Sequence, residues 1–235
     1  MKKIVSLFAL FCVLATLGAI LSSCTPTGKA AYDTSLTGEG ISVRMSKVKE
    51  QIDSMDVEDF EPSDQESDFV LIRVKDYGDI VVALRRDIAP ETVKNFKALV
   101  AKKFYSETVF HRVMESFMIQ GGGFVAIGDS LREKDADTIK GEFTDNNFIN
   151  NLTHVRGVIS MARVGDLNNS ASSQFFIMHQ TTTTLNEKYA SFGYVLAGMD
   201  VVDKIATCPV DDKNSQSPAP LTPVVIESIT FVQPK

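Results

Sequence analysis

Apolar residues bracket a polar pair in Phe110-His111-Arg112-Val113, the strand-like stretch turns at Met114-Glu115-Ser116, and it resumes with the apolar run Phe117-Met118-Ile119, followed by Gln120 and stopping at Gly121-Gly122. That pattern predicts a tight pair of strands. Asp68 to Lys75 and Ile80 to Arg85 are also strand-like, and the turn residues Asp76-Tyr77-Gly78-Asp79 between them make an opening hairpin. Further strands are expected at Val158 to Ala162, Gln174 to Met178, Ser191 to Leu196 and Val224 to Val232. Helical spacing occurs twice. Pro90 suits a first turn and is followed by Val93, Phe96, Leu99 and Val100, giving one helix from Pro90 to Lys102; a second is expected over Met199 to Ala206. The charged stretch Phe124 to Lys140 reads as a loop. Short strands, two helices and glycine turns within residues 67–235 predict a mainly β domain, a barrel with helical lids. No internal repeat is present.

The first residues follow a different pattern. Lys2 and Lys3 precede an uncharged apolar run from Ile4 to Leu21, at the lower limit for spanning a bilayer, and the run ends in Leu21-Ser22-Ser23-Cys24. This end resembles the lipobox of bacterial lipoproteins. The resemblance implies a signal peptide over 1–23 and lipidation of Cys24 as the mature N-terminus, which places the protein in the cell envelope, anchored to a bacterial membrane with its domain in the periplasm. A retained N-terminal helix and an ordinary signal peptide are the competing readings. Acyl chains anchor at about 0.8 kcal/mol per buried methylene, so no spanning segment is needed. With Cys12 removed and Cys24 lipidated, Cys208 alone stays in the mature domain and no internal disulfide can form.

Residues 24–66 show no sustained strand pattern, and nine carboxylates without a Lys or Arg lie between Glu50 and Asp68. Such a stretch repels itself and offers little apolar surface, so it reads as a flexible tether, about 35 to 40 Å from end to end as a coil. The alternative is a short helix around Ser46 to Met55 that docks on the domain or on a partner. The net charge of −6 becomes −8 once Lys2 and Lys3 leave, which argues against nucleic acid as a partner.

Arg112 stands out because an arginine inside an apolar run needs a partner or a function. Around it, Phe110-His111-Arg112-Val113 with Phe117-Met118-Ile119-Gln120-Gly121-Gly122 resembles the central signature of the cyclophilins, a family of peptidyl-prolyl cis/trans isomerases. Gly157-Val158-Ile159-Ser160-Met161-Ala162-Arg163 and Ser172-Ser173-Gln174-Phe175-Phe176-Ile177 resemble two further blocks of that family, in the same order. The resemblance runs from about Phe69 to Phe231. It implies a closed eight-stranded antiparallel β-barrel capped by two α-helices, with no metal and no cofactor. It also implies that Arg112 is catalytic, that Phe117, Met118, Phe176 and Leu185 line a proline pocket, and that Gln120 and Gln174 orient Arg112 or the substrate backbone. Ala162 and Arg163 would meet the peptide as an extended edge, His111 and Tyr189 would sit at the rim, and Thr184 stands beside the pocket. Proline-containing peptides and unfolded proteins are the implied partners, and the protein is expected to act as a monomer.

The chemistry can be weighed from the residues. Peptide-bond rotation faces a barrier of about 18 to 20 kcal/mol, and before proline both isomers are populated. As the bond twists, the proline nitrogen gains a lone pair that a planar amide lacks, so a donor placed there favours the transition state. A guanidinium can be that donor. Strand parity puts Gln174 and Phe176 on one face and Phe175 on the other, and puts Met118 with Gln120; Phe117 has the opposite parity to Met118. Without the motifs, Arg112 would read as an ion-pair residue and the pocket residues as ordinary core. His111, His154 and His179 share no metal-ligand spacing, and Ser160 and Ser173 have no nucleophile-elbow context. Thr184 replaces a tryptophan of the well-studied eukaryotic members, Tyr189 replaces a histidine, and the Gly-Thr-Gly of many members is missing after Gly123. These departures predict weak cyclosporin binding and motivate a second reading, a chaperone or scaffold that holds proline segments with little turnover.

Overall fold

The computed structural model describes residues 47–211 and 213–235; the expected signal peptide, Cys24 and the first part of the tether lie outside the described residues. Among the described residues twelve strands are formed: β1 (Phe60–Pro62), β2 (Phe69–Val74), β3 (Gly78–Leu84), β4 (Thr108–Met114), β5 (Met118–Ile127), β6 (Ser130–Glu133), β7 (Val158–Met161), β8 (Phe175–Met178), β9 (Ser191–Ala197), β10 (Val210–Asp211), β11 (Ala219–Pro220) and β12 (Val224–Pro234). The two long helices are α1 (Pro90–Ala101) and α2 (Met199–Ala206).

Eight of the strands pair in the order β12-β2-β3-β9-β7-β8-β5-β4, and β12 returns to β4 through Val224↔Phe110, Val225↔Val109 and Ile226↔Thr108. The sheet is therefore a closed antiparallel ring, as the alternation and the resemblance predict. Closure leaves none of these eight strands with an unpaired edge along the ring. Alternate side chains fill the inside: Val70, Ile72, Ile80, Val82, Phe110, Ile119, Phe175, Ile177 and Phe192 form one buried cluster with Val93, Phe96 and Val100 of α1 and Val202 and Ile205 of α2. Phe96 sits at its aromatic centre, with ring centroids 5.1 Å from Tyr105, 5.2 Å from Phe192 and 5.8 Å from Phe175.

Helix α1 begins with Pro90, and its N-cap Ala89 has no side chain able to cap. The cap comes from 50 residues away in the chain, where the buried Glu142 carboxylate accepts from the backbone N–H of Glu91 (3.1 Å) and of Thr92 (2.8 Å). A carboxylate at a helix N-terminus satisfies orphan donors and complements the helix dipole.

Two expectations change. The stretch Phe124 to Lys140 is not all loop, because β5 continues to Ile127, turns at Gly128 and returns as β6. The expected tether over 24–66 is not free along its whole length either. Residues 47–51 are helical, Val57–Asp59 forms a 3-10 turn, and β1 pairs with the end of β12 through Phe60↔Pro234. The N–H groups of Asp53 and Met55 donate to the carbonyls of Val195 and Leu196 at 3.2 Å each. Val48 and Phe60 are buried in an outer cluster with Val81, Ala83, Val158, Tyr194 and Leu196, while Ile52 packs partly buried against it. Gly157, at φ +86°, leaves room for this strap, since a Cβ there would stand 2.7 Å from Ile52 Cγ2. Burying an aromatic or aliphatic side chain contributes about 1.5 to 3 kcal/mol, enough for a few apolar residues to hold an otherwise acidic segment. The docked helix is the alternative raised by the sequence.

Candidate active site

The β4–β5 hairpin carries the central residues. Arg112 is opposite Gln120, Gln120 is opposite Phe176 on β8, and Phe176 is opposite Ser160 on β7, so one rung crosses four strands. Its neighbouring rung is Met114, Met118 and Met178. Met118, Phe176 and Met178 belong to the outer cluster, whereas Ile119, Phe175 and Ile177 belong to the inner one, which is the parity the sequence predicts. The site thus lies on the outside of the barrel wall.

A cleft of about 210 Å³ opens there, lined by Arg112, Phe117, Met118, Gln120, Ala162, Arg163, Phe176, Leu185 and Tyr189. Phe117 reaches it despite its parity because it belongs to the turn, where Ser116 is left-handed at φ +60°. That turn is held from the next strand. The N–H of Ser116 donates to His179 Nδ1 (2.9 Å), and the N–H of His179 donates to the Phe117 carbonyl (2.9 Å). His179 Nε2 lies 3.2 Å from Asp203, which also takes two hydrogen bonds from Arg156. The Arg156 bond, ahead of other causes, holds the Asp203 carboxyl below its usual range.

Arg112 is half-buried and spreads its donors over neutral acceptors: Nε to the Gln216 carbonyl (2.9 Å), Nη1 to Gln120 Oε1 (3.3 Å) and Nη2 to the Met114 sulfur (3.1 Å). Its guanidinium carbon stands 5.8 Å from the Phe117 ring centroid. Burial lowers its pKa from the ordinary value, but a guanidinium stays cationic in proteins. Gln120 in turn donates to Gln174 Oε1 at 3.1 Å. Gly123 makes that possible, since a Cβ there would fall 2.3 Å from Gln174 Cγ.

The floor is Phe176. Tyr189 meets its ring edge-on at 5.7 Å, and the buried His154 stacks beside it at 5.9 Å. His154 bridges Asn186 and Ser160, 3.1 Å from each, and burial lowers its pKa to about 4. Arg163 forms a wall, its guanidinium 4.8 Å from the Tyr189 ring centroid and its donors on the carbonyls of Lys188 and Gly165.

Gln174 lines an adjoining depression of about 270 Å³ that shares Gln120, Ala162 and Arg163 with the cleft. Two of the expected residues lie elsewhere. Thr184 is exposed on the 3-10 turn Thr183–Leu185, and only Leu185 of that turn reaches the cleft. His111 points into a separate depression with Ala126, Leu131 and Pro220, packed at 4.6 Å on Phe124, and burial lowers its pKa to about 4. A bulge between the pairs Phe110↔Gly121 and Arg112↔Gln120 leaves His111 outside the ladder, and its ring turns away from the cleft that Arg112 enters. Sequence reasoning missed Met114, His154, His179 and Gln216. The i, i+2 spacing from Arg112 along a strand could have pointed to Met114. Gln216 acts through its carbonyl, for which no side-chain signal exists. Among the described residues no three His, Cys, Asp or Glu side chains are placed to hold a metal ion, and no helix is long and apolar enough to cross a membrane.

The family described as cyclophilin type peptidyl-prolyl cis-trans isomerase/CLD matches residues 69–231. A peptidyl-prolyl cis-trans isomerase of Acinetobacter baylyi is 42% identical over 158 residues, covering 65% of this chain and 79% of the relative. Peptidyl-prolyl cis-trans isomerase B of Escherichia coli is 40% identical over 163 residues, 66% of this chain and 94% of the relative. A crystal structure of a Cryptosporidium parvum cyclophilin type isomerase, solved in the presence of the dipeptide Ala-Pro, superposes with a TM-score of 0.57 at 29% identity, over 69% of this chain and 98% of that one. The chain belongs to the cyclophilin-type peptidyl-prolyl cis-trans isomerase family. The strap at residues 47–62 precedes the matched region.

Proposed function

We propose that this isomerase turns X-Pro bonds in proteins of the bacterial cell envelope, with Arg112 as the donor to the twisting prolyl nitrogen. The observation that carries the assignment of Arg112 is its set of partners. A cation on the rim of an apolar cleft bonds a carbonyl, an amide oxygen and a thioether, so no carboxylate among these acceptors neutralises it. Its charge is available to a developing lone pair. Phe117, Met118, Phe176 and Leu185 grip the proline ring; Gln120 and Gln174 hold the guanidinium and the substrate backbone; Ala162, Arg163 and Tyr189 border the peptide. The relative solved with Ala-Pro supports a proline-containing peptide as ligand.

One charge-assisted hydrogen bond contributes about 1.5 to 3 kcal/mol, so Arg112→Ala should lower kcat/KM about 10- to 100-fold in a protease-coupled assay on a short X-Pro peptide. The melting temperature should stay close to that of the wild type. Unchanged turnover would overturn the role of Arg112.

The protein acts as a monomer held to the membrane by acyl chains on Cys24, with its domain in the periplasm and unfolded envelope proteins as clients. The support is Leu21-Ser22-Ser23-Cys24 behind a charged start and an apolar run. In a bacterial host labelled with radioactive palmitate, the wild type should take up label and sediment with membranes, and Cys24→Ser should not be labelled. Equal labelling of both would refute the anchor.

A further inference from the structure

Three methionines share the rung beside Arg112: Met114 on β4, Met118 on β5 and Met178 on β8. Met118 and Met178 are 1% and 0% exposed, whereas Met114, at the end of β4, is only partly buried. The Met114 sulfur lies 3.1 Å from Arg112 Nη2, and the Met118 sulfur 3.7 Å from Nη1. A thioether is a weak acceptor. The Nη2 end of the guanidinium is thus held by a soft contact that a substrate can displace, while Nε is fixed on the Gln216 carbonyl.

We propose that Met114 is an oxidation site, and that its sulfoxide captures Arg112 and slows the isomerase. The proposal rests on Arg112 being the donor to the prolyl nitrogen. Hydrogen peroxide is the oxidant. A sulfur lone pair attacks one peroxide oxygen, the O–O bond breaks, that oxygen stays on sulfur, and the other leaves with both protons as water. Sulfur loses two electrons and the peroxide gains them. The product carries a polar S=O oxygen, a far better acceptor than the thioether. It sits on an atom already within contact of Nη2, so the guanidinium gains a partner that the substrate must compete with. Burial shields Met118 and Met178 from the same reaction, and Met55, also partly buried, lies in the strap away from Arg112 and serves as an internal control.

The test treats the full chain with hydrogen peroxide, follows each methionine by peptide mass spectrometry, and measures kcat/KM on an X-Pro peptide. Met114 should take up one oxygen before Met118 or Met178, and kcat/KM should fall about tenfold in step with it, the cost of tying up one charge-assisted bond. Methionine sulfoxide reductase should restore the rate. In Met114→Leu, a substitution of similar volume, the ratio of treated to untreated rates should stay near one, whatever the starting rate of that variant. Met114→Gln, which supplies a permanent acceptor, should be slow before any treatment. Complete oxidation of Met114 without loss of rate, an unoxidised Met114, or an equal loss in Met114→Leu each overturns the proposal. If Arg112→Ala is slow while oxidised Met114 is harmless, this inference fails alone; if Arg112→Ala keeps its rate, the role of Arg112 fails first.

Discussion

His154 shows how one buried side chain ties the cleft to stability. Its ring stacks beside Phe176, its two nitrogens face Asn186 and Ser160, and burial lowers its pKa to about 4. In the unfolded chain a histidine takes up its proton near pH 6.5. Between pH 6.5 and about 4 the unfolded state therefore binds a proton that the folded state refuses, so folding stability falls as the pH drops through that window and levels off below it. The lost contribution is on the order of 3 kcal/mol at most. His111 shifts in the same direction. Urea unfolding at pH 7 and pH 4.5 should show a smaller loss on acidification in His154→Gln than in the wild type, since the carboxylates titrate in both; identical losses would contradict this account. Arg112 was legible in the sequence because a charge in an apolar run asks for an explanation. His154 was not, because its role depends on Ser160 and Asn186, which no local spacing connects to it.

At the scale of elements, strand-like apolar patterns predict the ring strands well, as alternation where one face is open and as mostly apolar runs in β7, β8 and β9, and at least four residues are needed to show either. β1, β10 and β11 are two or three residues long and carry no period. The strap was legible only as an alternative, the docked helix, because its carboxylates dominate the composition, while its stability comes from a few side chains, Val48, Ile52, Met55 and Phe60, set against the outer wall of the barrel. The α1 cap is a third case. Ala89 and Pro90 mark the start of the helix, but the acceptor is Glu142, supplied by a loop. Glu142→Ala should leave two buried or half-buried N–H groups without their acceptor and cost about 1 to 3 kcal/mol in chemical denaturation, with the helix content of the folded protein retained. No change in the midpoint would mean that water replaces the carboxylate at no cost.

For the whole molecule, the family blocks lie on neighbouring strands of one wall: β4 and β5 bring the first, β7 the second and β8 the third. Three motifs spread over 68 residues of sequence, Phe110 to Ile177, had to be neighbours for any of them to have chemistry, and the ring is what makes them so. The cleft's remaining wall, Leu185 and Tyr189, comes from the connection to β9. There the chain departs from the family pattern, and there Thr184 turns outward.

The closing strand has a further consequence for how the protein comes to exist. β12 joins β2 on one side and β4 on the other, and its far end also holds β1, so every strand it completes is synthesised long before it. Until β12 arrives, β2 and β4 have open edges and the strap has lost part of its seat. Contacts between such distant parts of a chain form slowly, because the intervening loop must close before any pairing rewards it. A nascent chain therefore stays threadable until nearly all of it has been made. The envelope location proposed above would make use of that delay, because a translocation channel needs an unfolded polypeptide and the barrel cannot lock before its last strand is made.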